Sequence, residues 1–405
     1  MKTKENIFII KGRLIDGCHD TCIEKGAVAV EGERIVYAGE ERGCPLSGYP
    51  VYEAENGTIM PGMIDCHAHL SGEESQNRQG GSAYDSLLAA AHDIGILVDA
   101  GITGVRDMSR FGPALKRAVG AGILRGPKIM PGGRVISVTA GHVDTDTEMS
   151  VEEVNAKSLI GYLADGKEGC LKAVRTQFRE GAQFIKICAT GGVSSSVDNP
   201  NDIQYSEEEL QVMIEEAARR NSYVAAHCTG LAGTKQAIRA GVHSVEHGVN
   251  LDQECVDMMK EKDITLVSTC HIPLGFSKMT SLPADMVERG MACGRAIRES
   301  YRLARKAGVR LAMGTDFSNS RNTPYAHIGK ELEGICECGY TPMEAIQAAT
   351  RNGAYLMNTA GQTGTLEEGR LADIILVQGN PLEDIRVLGD AENILHVWID
   401  GKRQK

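Results

Sequence analysis

Long apolar runs are missing from this chain. A membrane-spanning helix needs about 18 or more consecutive apolar residues, and no segment of the sequence reaches that length. The N-terminus, MKTKENIFIIKGRLIDG, contains an apolar run of only four residues, which predicts a first β-strand and not a signal peptide. We therefore expect no association with a membrane.

Dense runs of Lys and Arg are missing as well. The net charge is −11 at pH 7 and is spread along the chain, so no basic stripe is available for a phosphate backbone. Cysteine is sparse for a disulfide framework, with 12 in 405 residues. Cys66, Cys188, Cys228 and Cys270 lie inside apolar stretches, where a reduced thiol packs as a small hydrophobe. We expect a cytoplasmic protein with no nucleic-acid partner.

The two ends of the chain share a pattern of short β-strands. Residues 5 to 58 contain NIFIIKGRLID and GAVAVEGERIVYAG, and the C-terminal end contains RLADIILVQG and ILHVWIDGK. Gly and charged turn residues separate these apolar runs. We predict that residues 1–58 and 361–405 together form one small β-sandwich domain.

The middle of the chain, residues 59–360, alternates strand-like apolar runs with helical stretches rich in Ala, Leu and Glu. This alternation is typical of a parallel sheet covered by helices. The length suits a (β/α)₈ barrel, which takes about 250 residues. Eight strand candidates, the number that closes such a barrel, are TIMPGMIDC, TGVRDM, KIMPGGRVIS, FIKICA, YVAAHC, HSVEHG, TLVSTC and VRLAMGTD.

Metal-binding residue types lie at or near the ends of these strands. His67 and His69 are two apart in a strand, so both side chains project from one face, about 7 Å apart at their backbones. Alone this pair is weak evidence, because two solvated or core histidines give the same pattern. In a (β/α)₈ barrel, however, the C-terminal strand ends meet at one mouth. We predict one site there from His67, His69, Lys186, His227, His247 and Asp316.

Lys186 is the unusual member of this set. An ammonium group inside an apolar strand beside a dication would be strongly destabilised and must lose its proton or be modified. A deprotonated amine can react with carbon dioxide, and the resulting carbamate is a carboxylate on an arm long enough to bridge two metal ions. The alternative is a lysine that extends to the barrel rim or pairs with Asp316.

The motifs around these residues resemble those of the amidohydrolase superfamily, in the branch with a carboxylated lysine and two metals. They are PGMIDCHAHL (61–70), IKICATGGVSS (185–195), VAAHCTG (224–230), HSVEHG (243–248), MGTDFS (313–318) and GTLEEGRLADIILV (364–377). Within the superfamily, the chain is most similar to Xaa-Pro dipeptidases and imidazolonepropionase-related hydrolases. The resemblance covers essentially the whole chain.

This resemblance implies a binuclear metal site. His67 and His69 would hold the more buried metal with Asp316, carboxylated Lys186 would bridge, and the second metal would be held by His227 and His247. Zinc suits this set of imidazoles and carboxylates, and a metal-bridging water has its pKa lowered from about 15.7 toward roughly 7. Asp316 would accept the proton of the attacking hydroxide and deliver it to the leaving nitrogen.

Substrate contacts are less sharply indicated. His142 resembles the histidine with which dipeptidase-like members hold the substrate carboxylate, and Gly191 and Gly192 expose bare backbone near Lys186. Dipeptidase-like members carry an aromatic residue where this chain has Thr229, and His271 is a candidate replacement contact. Arg106, at the end of the second strand, is expected to support the site from below.

We therefore expect hydrolysis of an amide or peptide bond in a small carboxylate-bearing molecule, such as an Xaa-Pro-like dipeptide or an N-acyl amino acid. Cyclic amides, lactones or deamination remain alternatives, because the same activated water serves them. A scaffold without catalysis would lack one or more ligands, whereas this chain keeps all of them. The family likeness predicts a homo-oligomer.

Overall fold

The secondary structure follows the predicted order of strands and helices. The computed structural model describes residues 6–72, 82–193, 195, 197–278 and 283–405. Its strands are β1 (Ile7–Leu14), β2 (Ile23–Glu31), β3 (Arg34–Glu40), β4 (Val51–Pro61), β5 (Met63–Ala68), β6 (Ile102–Asp107), β7 (Lys128–Pro131), β8 (Val135–Ser137), β9 (Gly161–Leu163), β10 (Ile185–Cys188), β11 (Val224–Cys228), β12 (Ser244–His247), β13 (Thr265–Val267), β14 (Leu311–Ala312), β15 (Ile374–Gln378), β16 (Ile394–Ile399) and β17 (Lys402–Arg403).

The α-helices cover the barrel and link its strands. They are α1 (Ala83–Asp99), α2 (Gly112–Gly120), α3 (Val151–Lys157), α4 (Gly166–Glu180), α5 (Glu207–Ala218), α6 (Leu231–Ala240), α7 (Gln253–Glu261), α8 (His271–Gly275), α9 (Ala284–Ala307), α10 (Lys330–Glu337), α11 (Pro342–Ala349) and α12 (Arg351–Leu356). Among the described helices, none has both the length and the apolar character needed to cross a membrane.

Both chain ends build the small β-sandwich domain. Their strands form one hydrogen-bonded sheet in the order β17-β16-β15-β4-β1-β2-β3. The sheet folds over on itself, so that Phe8 of β1 stacks on Trp398 of β16 with ring centroids 5.4 Å apart. Alternation along β1 directs Phe8 and Ile10 into this core and Ile9 to the opposite face.

The sandwich and the barrel are joined through adjacent strands. Strand β4 ends at Pro61, and β5, the first barrel strand, begins at Met63. The sequence boundary between residues 58 and 59 thus falls inside β4. The division into 1–58, 59–360 and 361–405 stays a prediction.

The barrel is closed by parallel strands. Strand β5 pairs with β6, β6 with β7, and β8 with β10; the pairing then runs through β11, β12 and β13 to β14. The amide of Cys66 on β5 donates to the carbonyl of Met313, just after β14, at 2.8 Å. This bond joins the last strand to the first, as a (β/α)₈ barrel requires.

The third barrel strand differs from the sequence prediction. KIMPGGRVIS was expected to be one strand, but β7 and β8 are separated by a turn containing Gly132 and Gly133. Gly133 has φ of +69°, and a Cβ on Gly132 would lie 2.5 Å from the Phe184 ring. The backbone therefore bends here, and β8 also pairs with β9, a strand that the sequence did not predict.

Candidate active site

A cavity of about 620 Å³ opens at the C-terminal ends of the barrel strands. The predicted metal ligands all line it, together with one predicted substrate contact: His67, His69, Lys186, His227, His247, Asp316 and His142. The strand register explains this convergence, since His227 on β11 lies beside Glu246 of β12, and Cys228 beside His247. Residues up to 249 positions apart in sequence thus share one mouth.

Three of these side chains form a tight cluster. Potential ligand atoms of His67, His247 and Asp316 all lie within 4.8 Å of one another. Oδ1 of Asp316 is 3.0 Å from Nε2 of His69 and 3.4 Å from Nε2 of His67. His247 and Asp316 have φ of +68° and +63°, a region that is costly for residues with a Cβ. The fold holds both side chains toward the cavity despite this backbone strain.

The electrostatics of the cluster favour ligand-competent forms. Burial alone would raise the pKa of Asp316, but the imidazoles of His67, His69 and His247 outweigh it and hold that pKa well below its usual range. Burial, together with neighbouring positive charge, holds the pKa values of His227 and His247 well below normal. Asp316 is therefore an anionic carboxylate, and His227 and His247 are neutral imidazoles, the forms that bind a metal, whereas Asp316 raises the pKa of His69 against the effect of burial.

Lys186 lies inside the barrel. It is 2% exposed, and its neighbours in β10, Ile185 and Ile187, are fully buried. Its side chain lines the cavity floor with the histidines, so the expected alternative of a lysine extended to the solvent at the barrel rim does not apply. The ion pairs of Asp316 are with His67 and His69.

A buried chain of polar groups supports His67 from below. Nδ1 of His67 is 2.8 Å from Oε2 of Glu246, and Oε1 of Glu246 accepts a hydrogen bond of 2.7 Å from Arg106. Arg106 also donates to the carbonyl of Cys66 at 2.7 Å and is fully buried. Burial would raise the pKa of Glu246, but Arg106 and His67 keep it well below normal. Sequence reasoning placed Arg106 correctly below the site and missed Glu246.

His142 lies against the loop that follows β10. Its ring is 4.3 Å from the ring of His227, and Nδ1 is 3.5 Å from Oδ2 of Asp198. A Cβ on Gly192 would lie 2.0 Å from the His142 ring, so Gly192 makes room for that ring. Gly191 contributes its carbonyl, which is 3.0 Å from Nε2 of His227. Direct substrate contact by either glycine stays a prediction.

Thr229, which stands where dipeptidase-like members carry an aromatic residue, makes hydrogen bonds to the loop after β10. Its hydroxyl lies 2.6 Å from the carbonyl of Gly191 and 2.9 Å from that of Pro200, and its amide donates to Oγ1 of Thr190. The residue is buried and fastens the loop after β10. It is not among the described residues that line the cavity.

His271 lies at the start of α8, away from the described cavity lining. Its ring packs against Phe317 at 5.7 Å, and its amide donates to Glu331 at 2.8 Å. These contacts give His271 a structural setting. A substrate contact for this residue stays a prediction that the geometry does not support.

Comparison with known proteins places the chain in a family. The sequence profile of the amidohydrolase family matches residues 58–403. This chain belongs to the amidohydrolase family. Ochratoxinase from Aspergillus niger is 35% identical over an alignment of 423 positions, which covers 98% of this chain and 86% of that protein. Its crystal structure matches with a TM-score of 0.89 and 34% identity over 100% of this chain and 96% of that one.

The chain is also similar to a prolidase of known structure and to an imidazolonepropionase. A prolidase crystallised with N-methylphosphonate-L-proline is 30% identical, with a TM-score of 0.89 over 98% of this chain and 99% of that one. Imidazolonepropionase from Rhizobium meliloti (strain 1021) is 26% identical over 87% of this chain and 85% of that protein. The chain is an enzyme, a hydrolase that acts on carbon–nitrogen bonds of small molecules.

The side chains in the cavity fit the divalent metals that amidohydrolases generally bind. Imidazole nitrogens and a carboxylate converge in the cluster of His67, His247 and Asp316, the donor types that zinc accepts. His67 and His69 are oriented by bonds on their other ring nitrogens, to Glu246 and to the carbonyl of Met108, as is usual for metal-binding histidines. The donor set therefore suits a metal-dependent hydrolase.

Proposed function

We propose that this amidohydrolase cleaves the amide bond of a small substrate that carries a carboxylate beside the scissile bond, such as a dipeptide or an N-acyl amino acid. The observation that carries the proposal is the cluster of His67, His247 and Asp316 at the mouth that also contains Lys186 and His142. The related prolidase, crystallised with a phosphonate derivative of proline, supports a substrate with a carboxylate next to the amide nitrogen.

The residues divide between two metal positions in this proposal. One ion would be held by His67, His69 and Asp316, the other by His227 and His247, and both by carboxylated Lys186. Two divalent ions, with zinc as the metal used in the test, would lower the pKa of water toward about 7 and polarise the substrate carbonyl.

Asp316 is the group that we assign to proton transfer. Its depressed pKa keeps the carboxylate ionised at neutral pH, so the carboxylate can accept the proton of the attacking hydroxide and later deliver it to the leaving nitrogen. His142, at the wall of the same cavity, would hold the substrate carboxylate. A homo-oligomeric state and a cytoplasmic location stay predictions.

The test is turnover of a library of dipeptides and N-acyl amino acids by the zinc-loaded enzyme. A metal-stripped sample is the control, and metal content is measured in parallel. Metal-dependent release of amino acids with about two metals per chain supports the proposal. Two bound metals without release would reject this substrate class, and the next substrates to assay are cyclic amides and lactones.

Lys186 gives a sharper test of the metal arrangement. We expect Lys186→Ala to lose most of the activity and to bind less metal, because the bridging carboxylate is gone. Added acetate should restore part of the activity by entering the space left by the side chain. Lys172→Ala, on the exposed face of α4, is the control. An unaltered rate in Lys186→Ala would rule out a bridging role.

A further inference from the structure

One wall of the active-site cavity is formed by a single continuous segment of the chain. Residues 135–161, which begin with β8, supply all the described lining residues of the cavity other than the metal-ligand candidates and Cys188. Their apolar members are Val135, Val143, Met149, Val154, Leu159 and Ile160. Binding of an apolar group against such a surface is favourable, because both apolar surfaces are removed from water.

Hydrogen bonds hold the segment of residues 135–161 against the barrel. Asn155 on α3 exchanges two hydrogen bonds with the backbone of Leu163 on β9, at 2.6 and 2.9 Å. Arg134 donates to the carbonyl of Asn155, and Arg110 donates to the carbonyl of Ala156 at 2.6 Å. The apolar wall therefore has a defined shape before a substrate arrives, which favours selective binding.

The charges on this wall lie at its outer edge. Among the described residues of this wall, Asp146 and Lys157 carry a formal charge, and both are exposed. Lys157 is already paired with Glu153 at 2.9 Å. By contrast, Val154 and Leu159 are buried. Away from His142, a charged substituent placed against the apolar residues of this wall would lose hydration without gaining a partner.

The cavity is also large for the smallest amides. Its volume of about 620 Å³ falls within the roughly 300–1,000 Å³ of pockets that bury drug-sized ligands. We infer that the substrate carries a bulky apolar group, an aromatic ring or a branched alkyl chain, that packs against the wall of residues 135–161. This inference rests on the proposed amide hydrolysis and names the substrate class within it.

The experiment compares two series of N-acyl amino acids with the zinc-loaded enzyme. One series enlarges the acyl group from acetyl to hexanoyl and benzoyl, with glycine as the amine part. The other keeps acetyl and changes the amino acid from glycine to leucine and phenylalanine. We expect kcat/KM to rise about tenfold or more with apolar size in at least one series, since each buried methylene contributes roughly that factor in a fitting pocket.

Variants then assign the preference to the wall. Met149 lines the cavity yet is partly exposed, so Met149→Ala should fold normally and lower kcat/KM for the bulky substrate about tenfold, with little change for the small one. Val151→Ala, an exposed residue on the adjacent helix α3, is the matched control and should change neither.

The outcomes separate this inference from the proposed function. Amide hydrolysis without any size preference, or with a preference that Met149→Ala leaves intact, overturns the apolar subsite while the proposed function stands. Absence of hydrolysis in both series and in the dipeptide library, with metal bound, overturns the proposed function itself. A size preference that Met149→Ala abolishes supports both.

Discussion

At the scale of single residues, Asp198 has the clearest untested role. Its Oδ2 accepts hydrogen bonds from the amide of Gly192 at 3.2 Å and from Nε2 of Gln204 at 3.1 Å, and it lies 3.5 Å from Nδ1 of His142. Burial would raise the pKa of Asp198, but His142 beside it lowers that pKa. Asp198 is thus a positioning residue for the proposed carboxylate contact.

Asp198→Asn should therefore weaken substrate binding more than chemistry. We expect KM for a carboxylate-bearing substrate to rise about tenfold with a smaller change in kcat, because the loss of a charged partner costs roughly 1.5–3 kcal/mol. Asp202→Asn changes the same loop, where Asp202 accepts from the amide of Asn199, and is the control for loop disruption. Equal KM changes in both variants would argue against a specific role.

The candidate metal ligands were more predictable than the residues that position them. His67, His227 and Asp316 are metal-binding residue types at repeated strand ends, and that pattern is visible in a single sequence. Glu246 was missed because an acidic residue beside a histidine is ordinary, and its partner Arg106 lies 140 positions away. The pairing exists only once the barrel is closed.

At the scale of elements, Glu246 ties strand β12 to β5 and β6. Glu246→Gln would leave Arg106 buried without its carboxylate, which costs about 3–5 kcal/mol when one partner of a buried pair is removed. Because the bond to Nδ1 of His67 also weakens, metal affinity should fall roughly 10- to 100-fold. Urea unfolding and metal titration measure the two effects. Glu254→Gln, at an exposed ion pair, should change neither, and wild-type values for Glu246→Gln would disprove the link.

Helix α10 is tied to the start of α8 by a buried acid. Glu331 accepts hydrogen bonds from the amides of Cys270 and His271 at 2.6 and 2.8 Å, yet burial raises its pKa to about 8. The unfolded chain loses this proton near pH 4.5, so the native state alone keeps it between about pH 4.5 and 8. Because of Glu331, the free energy of unfolding therefore decreases as the pH rises from about 4.5 to 8.

Glu331→Gln should remove this pH dependence. Relative to wild type, the free energy of unfolding of the variant should increase toward pH 8 by up to about 1.4 kcal/mol per pH unit. Urea unfolding from pH 5 to pH 8 measures the difference. Glu337→Gln, an exposed acid on the same helix, is the control. A constant difference across the pH range would contradict a raised pKa.

The elements were predictable to the extent that their pattern is local. Alternation and strand-end residues predicted the parallel strands of the barrel and the strands of both chain ends. The break between β7 and β8 was missed although Gly132 and Gly133 are typical turn residues. What decides it is the Phe184 ring against Gly132, a contact between different strands.

At the scale of the whole molecule, barrel and sandwich share a core. Met60 and Ile375 of the sandwich belong to the same buried cluster as Ile102 of the barrel, and Lys128 of β7 pairs with Asp373 at 2.7 Å. We therefore expect the two parts to unfold together. The single tryptophan, Trp398, reports on the sandwich, and far-UV circular dichroism reports mainly on the barrel helices.

Phe8→Ala tests this coupling. It removes the ring that stacks on Trp398 and should lower the free energy of unfolding by about 3–5 kcal/mol, with the fluorescence and dichroism transitions shifting together. Tyr84→Ala removes an exposed ring that is 80% accessible and should leave both transitions in place. A shift confined to the fluorescence would mean that the sandwich unfolds alone.

The position of β4 in the middle of the sandwich sheet has a consequence for synthesis. Its neighbour β15 follows about 310 residues later, so at 5–20 residues per second the ribosome needs roughly 15–60 s to supply it. Throughout that interval the nascent strands β1–β4 present an unpaired edge to other chains. The first segment to leave the ribosome is thus completed last, and it is where a chaperone would have the most to protect.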